Sequence, residues 1–391
     1  MIQFGDSQTV PNCFAILNMD FLLCCYLCYN TPILLFDKNE GKDSMKRVGI
    51  TICNYNKKDM VCDCIRSVLE QNYQDFDLYV VDNASTDGSA REIRRQFPEG
   101  LTLLCNYENL GGSGGFNTGL RKMCEKGYEY LMCVDNDALL DEDAVGELVA
   151  FLDAHPECGM AGSKIYHLEQ PEIVQNFGQA VDFNYFCTEA YYLGRVEDGS
   201  MPDFVYADAV PACSLMVRRS VVNEIGLLPE ENFLYWDDTE WGYLCNMAGH
   251  KVASVGASKA CHAMGAKRED VNTFPTYYAW RNWIRFFMKF TPREKWVDMA
   301  GYFLASIYEV EFWGNYNEVY SKANTVMAAY DDAIHGVVGK AGIDRIFEMD
   351  QGEDYAEPYE EVKEQFDRGK ELFVYSQLPL FLRQIRKFRK E

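Results

Sequence analysis

The chain has 391 residues, 48% of them hydrophobic, so it can bury a sizeable core in one large domain with an appendage. Its formal net charge of −23 at pH 7 argues against nucleic acid as a partner, because phosphate backbones recruit net-basic surfaces. The fifteen cysteines are scattered, odd in number and often set in apolar patterns. We therefore expect reduced thiols in a cytoplasmic protein rather than a disulfide framework.

Residues 1–45 differ in character from the rest of the chain. Residues 13–36 are apolar enough to suggest a membrane segment, but polar residues interrupt them, and no basic stretch or small-residue cleavage site accompanies them. Met45 resembles a natural start, so one interpretation is an apolar leader that is foreign to the native protein. A weak membrane anchor is the alternative.

From residue 48 onward, predicted strands and helices alternate. The predicted strands are short apolar runs at residues 48–53, 78–81, 101–105 and 130–134. The predicted helices cover residues 60–71, 89–97, 115–126 and 141–154. Strands that alternate with helices of about ten residues indicate an α/β fold with a parallel sheet covered on both faces.

Beyond residue 155 the strict alternation is lost. The pattern predicts short strands near residues 160–165, 174–181, 204–207 and 215–217, and helices near residues 219–225 and 239–248. From residue 273 to about residue 347 the chain is predicted to be mostly helical. An acidic stretch follows, and the tail from Leu378 combines basic and apolar residues, which is typical of a segment on an anionic membrane surface or of a solvated tail.

Polar motifs follow the predicted strands, at the point where each strand ends. They are Asn54-Tyr55-Asn56, Asp82-Asn83, the glycine cluster at residues 111–115, and Asp135-Asn136-Asp137. Ligands bind at the carboxyl ends of strands in open α/β sheets, so this order places a nucleotide, a diphosphate and a divalent cation along one edge. Carboxylates are hard oxygen ligands that suit Mg²⁺ or Mn²⁺ bridging a diphosphate.

The glycine cluster opens the helix that is predicted to begin near Gly115. Glycines permit positive φ and close backbone approach, and the N–H groups at a helix start face an anion. The final glycine of a dinucleotide-binding fingerprint is missing, and this βα unit is the third rather than the first. The alternative is a flexible turn.

Together with the aromatic and acidic stretch at residues 235–241, these motifs resemble the inverting family 2 glycosyltransferases with the GT-A fold. The resemblance covers roughly residues 46–290 and looks closest to the branch of rhamnosyl- and galactofuranosyltransferases. It implies a Rossmann-like α/β fold of the nucleotide-diphospho-sugar transferase type with a C-terminal helical extension. The expected organisation is a leader at 1–45, a GT-A domain at 46–272, a helical region at 273–347, and an acidic linker with a basic amphipathic tail at 348–391.

The resemblance also implies roles for individual residues on the donor side. Asp82 and Asn83 would contact the nucleobase, where a carboxylate accepting from N3–H selects uracil or thymine. The other expected donor-binding residues are Thr51, Asn54, Asn109, Gly111, Gly112, Gly114 and Asp135. Asp137 would ligate the metal directly, Asp135 would lie nearer the ribose and the metal's outer sphere, and His262 would be a further ligand.

The acceptor side is expected in the stretch Trp236-Asp237-Asp238-Thr239-Glu240-Trp241. An inverting transfer needs a carboxylate that deprotonates the acceptor hydroxyl, and aromatic neighbours raise its pKa. We assign this base to Asp238, with Asp237 second, and expect Trp236, Glu240 and Trp241 to bind or support the acceptor. The alternative is an acid cluster that only caps the helix after it.

The sequence therefore predicts a metal-dependent inverting glycosyltransferase acting in cell-surface polysaccharide synthesis. Its donor would be a UDP- or dTDP-sugar carrying galactofuranose or rhamnose, and its acceptor a glycan or lipid-linked glycan. The expected location is the cytoplasm, with the tail able to contact the inner face of the plasma membrane. A sugar nucleotidyltransferase and a catalytically inactive carbohydrate-binding homologue remain as alternatives, although residues 54–59 contain no glycine and both carboxylate sets are present.

Overall fold

The computed structural model describes residues 46–263, 272–350 and 355–390. The predicted leader at 1–45 lies outside the described residues. In the first half of the chain, the predicted alternation of strands and helices is confirmed. The strands are β1 (Val48–Asn54), β2 (Phe76–Asp82), β3 (Thr102–Cys105) and β4 (Tyr130–Asp135). The helices are α1 (Lys58–Leu69), α2 (Ser89–Gln96), α3 (Gly111–Lys126) and α4 (Ala144–Ala154).

The second half contains shorter strands and helices, some of which the sequence pattern did not predict. The strands are β5 (Ala138–Leu140), β6 (Cys158–His167), β7 (Gln170–Asn176), β8 (Gln179–Asp182), β9 (Cys187–Ala190), β10 (Phe204–Ala207), β11 (Ser214–Arg218) and β12 (Lys251–His262). The helices are α5 (Arg219–Ile225), α6 (Asp237–Met247), α7 (Phe274–Phe290), α8 (Trp296–Tyr316), α9 (Tyr320–His335) and α10 (Tyr359–Arg389). Strands β5 and β9, which are only three and four residues long, were not predicted, and α10 begins within the stretch expected to be an acidic linker.

Strand directions place four functional strand ends at one edge of the sheet. The order is β10-β12-β6-β11-β4-β1-β2-β3, and β1 is parallel to both β2 and β4. β11 is antiparallel to both β4 and β6, and β12 is parallel to β6, so β12 runs in the same direction as β4. We call the edge formed by Asn54, Asp82, Asp135 and His262 the carboxyl edge.

Helices cover the sheet on both faces, as expected for an α/β fold. One apolar cluster joins the sheet to α1, α2 and α4, and a second joins it to α3, α5 and α6. Because successive side chains of a strand point to opposite faces, Ile50 and Ile52 of β1 enter the first cluster while Thr51 faces α3.

Helix α3 lies unusually close to β1 because two of its residues have no side chain. A Cβ on Gly115 would lie 2.2 Å from Cys53 Sγ, and a Cβ on Gly119 would lie 2.0 Å from Thr51 Oγ1. Thr51 is therefore completely buried beneath the helix. This corrects the expectation that Thr51 flanks a nucleobase pocket, because its hydroxyl is covered by α3.

The C-terminal helices form a separate apolar cluster that includes residues of the β8–β9 hairpin. The tail belongs to this cluster, since Phe381 and Ile385 of α10 are completely buried. The predicted membrane-facing side of the tail is thus turned toward the protein, because α8 and α9 offer it an apolar surface. In the described parts of the chain, none of the helices combines the length and the apolar character needed to cross a membrane.

The close contact of α3 with β1 gives a stability prediction. Gly119→Ala should destabilise the protein by about 1–3 kcal/mol, because the added methyl group overlaps the Thr51 side chain. Gly301→Ala in α8 is the matched control, since an added Cβ there meets no atom within 4 Å. It should stabilise the helix by about 1 kcal/mol. Chemical denaturation of the three proteins measures both effects, and equal stabilities would contradict this account of the packing.

Candidate active site

Asp135, Asp137 and His262 come together at the carboxyl edge. One ligand atom from each lies within 4.8 Å of the others. His262 Nε2 is 3.3 Å from Asp137 Oδ1 and 3.8 Å from Asp135 Oδ2. The short strand β5 produces this arrangement, because its antiparallel pairing with β12 sets Ala138 opposite His262 and so places Asp137 beside the imidazole.

Gln175 of β7 orients the imidazole. Its Oε1 lies 2.9 Å from His262 Nδ1, and its side chain is buried. An N–H on Nδ1 that donates to this oxygen directs Nε2 toward the two carboxylates. The sequence analysis missed Gln175, because a single glutamine in a partly exposed strand gives no signal of its partner on β12.

Lys57 is a second residue that the sequence analysis missed. It precedes α1, and its ammonium group donates a hydrogen bond to Asp137 Oδ2. Burial and the neighbouring Asp137 charge raise the pKa of Asp135 to about 6. Burial also raises the pKa of Asp137, but the His262 hydrogen bond and the charges of His262 and Lys57 outweigh it and bring the pKa to about 2.

These side chains fit a divalent cation. Two carboxylates and an imidazole are the hard oxygen and nitrogen donors that Mg²⁺ and Mn²⁺ accept, and the imidazole is already held by a hydrogen bond on its other nitrogen. Asp135, Asp137 and His262 would hold the ion, which when bound would neutralise charge on a diphosphate leaving group.

A buried amide network joins the ends of β1, β2 and β4. Asn136 Nδ2 donates to Asn54 Oδ1 at 2.8 Å, and Asn54 Nδ2 lies 3.4 Å from Asp82 Oδ1. The other Asp82 oxygen accepts from the backbone N–H of Ser85. Asn54 and Asp82 thus fix the three strand ends relative to one another.

Asn83 and Asn109 have internal partners. Asn83 Nδ2 donates to Asn109 Oδ1 and to the Gly111 carbonyl, while Asn83 Oδ1 accepts from Asn106 Nδ2 and the Leu110 N–H. Asn83 is 1% exposed. Its amide is therefore saturated within the protein, and it holds the segment before α3 in place instead of offering a free group to a nucleobase.

The glycine cluster lies inside α3, which begins at Gly111 and not near Gly115 as predicted. Gly111 has φ of +77°, and a Cβ there would lie 2.0 Å from the Phe233 carbonyl oxygen. A Cβ on Gly112 would lie 3.8 Å from Asp237 Oδ2, whereas a Cβ on Gly114 would lie 2.7 Å from Leu110 Cβ. Gly112 therefore faces Asp237 with room for a Cβ, whereas Gly114 is needed for packing against Leu110.

Residues 231–236 form a loop with a strained backbone that leads into α6. We call it the 231–236 loop. Phe233, Tyr235 and Trp236 have φ between 62° and 66°. Left-handed conformations of this kind cost about 1–3 kcal/mol per residue outside glycine and persist where the surrounding structure enforces them. The residues that follow the loop are Asp237 and Asp238, the first two residues of α6.

The two aspartates differ in their contacts. Asp238 accepts from the Ala212 N–H at 3.2 Å and from the Thr239 N–H at 2.6 Å. Burial raises the pKa of Asp238, and burial together with the Asp238 charge raises the pKa of Asp237 to about 7. The Asp135 charge also raises the pKa of Asp237. The main chain links the two acidic pairs, because the Ala212 N–H donates to Asp238 and the adjacent Cys213 carbonyl accepts from the Asp135 N–H. We call the four carboxylates Asp135, Asp137, Asp237 and Asp238 the acidic cluster.

The three predicted acceptor-binding residues have different surroundings. Trp241 is completely buried and donates to the Gly226 carbonyl, so it is a core residue. Glu240 is buried against Lys289 and accepts from Asn232. Trp236 lines a cavity of about 300 Å³ whose other lining residues are Thr188, Tyr235, Thr239 and Ala279.

Comparison with known proteins agrees with the fold. Residues 50–225 match the model of the glycosyl transferase family 2. The matched stretch is less than half of the 391-residue chain, and its family is of the enzyme class that the sequence predicts. A curated relative, the poly-beta-1,6-N-acetyl-D-glucosamine synthase of Staphylococcus epidermidis, is 27% identical over 128 residues. That match covers 32% of this chain and 30% of the relative, so the chain spans less than a third of the curated relatives it matches.

Two solved structures are similar to the chain at low sequence identity. The chain resembles GalNAc-T7 crystallised with UDP, GalNAc and Mn²⁺, with a TM-score of 0.51, 12% identity, and coverage of 73% of this chain and 59% of that one. It is also similar to the mannosyltransferase PcManGT of Pyrobaculum calidifontis with a TM-score of 0.48, 16% identity, and coverage of 94% and 92%. The predicted GT-A fold is confirmed by the family match and the GalNAc-T7 similarity.

The position of Gln175 gives a prediction about metal binding. Gln175→Leu should weaken Mn²⁺ binding by about 10- to 100-fold, because the imidazole loses the partner that orients it. Asp137→Ala should abolish binding, and Asp298→Ala, which removes an exposed carboxylate from α8, should leave it unchanged. Calorimetric titration with Mn²⁺ measures all three. Wild-type affinity in Gln175→Leu would show that Gln175 does not position the ligand.

Proposed function

We propose that the protein is a metal-dependent inverting glycosyltransferase that moves a sugar from a UDP- or dTDP-sugar to a glycan or lipid-linked glycan in cell-surface polysaccharide synthesis. The observation that supports this most is the meeting of two acidic pairs at the carboxyl edge. One pair lies with His262 in a cation site, and the other begins α6 beside the first turn of α3.

The donor would lie between Asp82 and the glycine cluster. The N–H groups in the first turn of any helix have no partner within the helix, and they favour an anion. In α3 this turn contains Gly112, which lies next to Asp237. A diphosphate bound there would lie between the cation site and the Asp237–Asp238 pair. GalNAc-T7, which has the same fold, was crystallised with UDP and Mn²⁺, which supports a pyrimidine diphosphate donor.

The proton transfer would be carried out by the aspartates at the start of α6. A raised pKa keeps a carboxylate basic enough to accept a proton from an acceptor hydroxyl, and an inverting transfer needs only one such base. We assign this role to Asp238 with Asp237 as the alternative. The acceptor sugar would occupy the 300 Å³ cavity, where Tyr235 and Trp236 offer aromatic faces next to Thr239.

We propose galactofuranose ahead of rhamnose as the transferred sugar, on the basis of the sequence Trp236-Asp237-Asp238-x-Glu240. A contact of the tail with an anionic membrane would depend on charge alone, through exposed residues such as Arg383, Arg386 and Lys387. Phe381 and Ile385 of the tail are already buried.

A donor screen tests the proposed function. The purified protein would be incubated with Mn²⁺, a mixture of oligosaccharide acceptors, and UDP-galactofuranose, dTDP-rhamnose, UDP-N-acetylglucosamine or GDP-mannose in turn. We expect release of UDP or dTDP that depends on both metal and acceptor. Release of pyrophosphate from a nucleoside triphosphate and a sugar phosphate would favour a nucleotidyltransferase instead, and binding of glycan without any release would favour an inactive homologue.

The assignment of the base gives a kinetic prediction. Asp238→Asn keeps the size of the side chain but cannot take a proton, so kcat should fall by about 10²- to 10⁴-fold while donor and Mn²⁺ affinities stay near those of the wild type. Asp237→Asn should have a smaller effect. Steady-state kinetics with calorimetry separates the two. If Asp237→Asn has the larger effect, the base is Asp237, and if neither matters, the two acids only begin a helix.

The pKa of Asp237 predicts the pH dependence. A base acts only when it is ionised, and burial raises the pKa of Asp238, while burial and the Asp238 charge raise the pKa of Asp237 to about 7. We therefore expect kcat/KM to fall about tenfold per pH unit on the acid side and to level off above neutrality. A pH profile of the metal-saturated enzyme measures this. A flat profile between about pH 5.5 and pH 8.5 would contradict the role of this pair as the base.

A further inference from the structure

We propose that Arg281 and Asn282 of α7 are positioning residues. They hold the 231–236 loop, and with it the Asp237–Asp238 pair, in the active conformation. This inference rests on the proposed function and extends it, because it makes the C-terminal helices part of the catalytic apparatus. The chemical group they act on is the main chain of the loop, and neither side chain contacts the acidic cluster in the described structure.

Asn282 makes its hydrogen bonds to three carbonyl groups of the loop. Its Nδ2 lies 2.8 Å from the Asn232 oxygen, 2.7 Å from the Leu234 oxygen and 3.1 Å from the Tyr235 oxygen. The side chain is 1% exposed, so water cannot take over these contacts. One amide therefore bonds three carbonyl groups of a loop that contains left-handed residues.

Arg281 holds the same loop from its other end. Its Nη2 donates to the Asn232 and Glu231 carbonyls at 2.9 and 3.3 Å, and its Nη1 donates to the Gly339 carbonyl at 2.7 Å. Arg281 Nε donates to Asn282 Oδ1 at 3.0 Å, so the two side chains orient each other. The guanidinium is fully buried, and its planar fork matches fixed carbonyl positions as no lysine could.

The guanidinium lies between groups that are themselves fixed. Its carbon is 4.9 Å from the ring centre of Tyr278, whose hydroxyl accepts from the Ala341 N–H. The Gly339 N–H donates to the Glu231 carbonyl, which ties the segment after α9 to the loop as well. The 231–236 loop is thus held by α7 and by the segment after α9, both of which lie outside residues 50–225.

The loop carries this restraint to the catalytic groups over a short distance. Trp236 directly precedes Asp237, and the Phe233 carbonyl occupies the space that Gly111 leaves open at the start of α3. A loop that relaxed from its left-handed conformations would move Asp237 and Asp238 relative to Gly112. Because a displacement of about 1 Å can reduce the rate by about 100-fold, loss of the restraint should affect kcat strongly.

The test compares Asn282→Ala and Asn282→Asp with the wild type, and uses Asn317→Ala as the matched control. Asn317 also donates to two main-chain carbonyls, those of Trp313 and Ala356, but it lies at the end of α8. Three quantities are measured: kcat per nucleotide-binding site, the affinity for Mn²⁺ with the nucleoside diphosphate that the wild type releases, and hydrogen exchange of peptides covering residues 231–236. If Asn282→Ala does not fold, Asn282→Ser replaces it, because a hydroxyl still donates one hydrogen bond.

We expect the Asn282 variants to lose about 10- to 100-fold in kcat per binding site, with nucleotide affinity within about twofold of the wild type. Exchange at residues 231–236 should accelerate, and Asn317→Ala should change neither quantity. Unchanged kcat, or reduced kcat with unchanged exchange at 231–236, would overturn the proposal. Failure of the wild type to transfer any sugar would instead refute the proposed function, and the exchange measurement would still decide whether Asn282 restrains the loop.

Discussion

Electrostatic repulsion within the acidic cluster is the constraint on which the rest of the site depends. Four carboxylates lie at one end of the sheet, partly or fully withdrawn from water, and their mutual repulsion contributes to the raised pKa values of Asp135 and Asp237. Burial of charge without compensation is costly. Lys57 and His262 offset part of the charge on Asp135 and Asp137. The arrangement therefore favours a bound divalent cation, which would balance charge that the protein leaves uncompensated.

Close packing of α3 fixes the positions of the elements that carry these carboxylates. Gly111, Gly115 and Gly119 allow α3 to approach both β1 and the 231–236 loop more closely than any side chain would permit. The same helix then presents its first turn to the cleft. Gly111 thus sets the position of the α3 start relative to the loop that leads to Asp237.

Much of the first half of the site could be predicted from the sequence. Alternating strands and helices predict a parallel sheet, and a parallel sheet brings Asn54, Asp82 and Asp135 to one edge. His262 was placed there by resemblance alone, because its position depends on β12 running parallel to β6 and on the three-residue strand β5. The sequence pattern gives neither the direction of β12 in the sheet nor a signal for a strand as short as β5.

Other features could not be predicted because they depend on contacts between distant segments. A polar residue at a strand end can be bonded internally, as Asp82 and Asn83 are, and the sequence does not show which partners it has. The amphipathic pattern of α10 predicts an apolar face but not the helices that cover it. Lys57 and Gln175 are single polar residues whose partners lie far away in the chain.

The most direct test of this account is the position of the cation. Crystals grown with Mn²⁺ and the nucleoside diphosphate product would be measured at the manganese absorption edge. We predict one strong anomalous peak within bonding distance of Asp137 and His262, next to Asp135, with the diphosphate between it and the first turn of α3. A manganese ion bound elsewhere, or a nucleotide bound without metal and away from the carboxyl edge, would contradict the account.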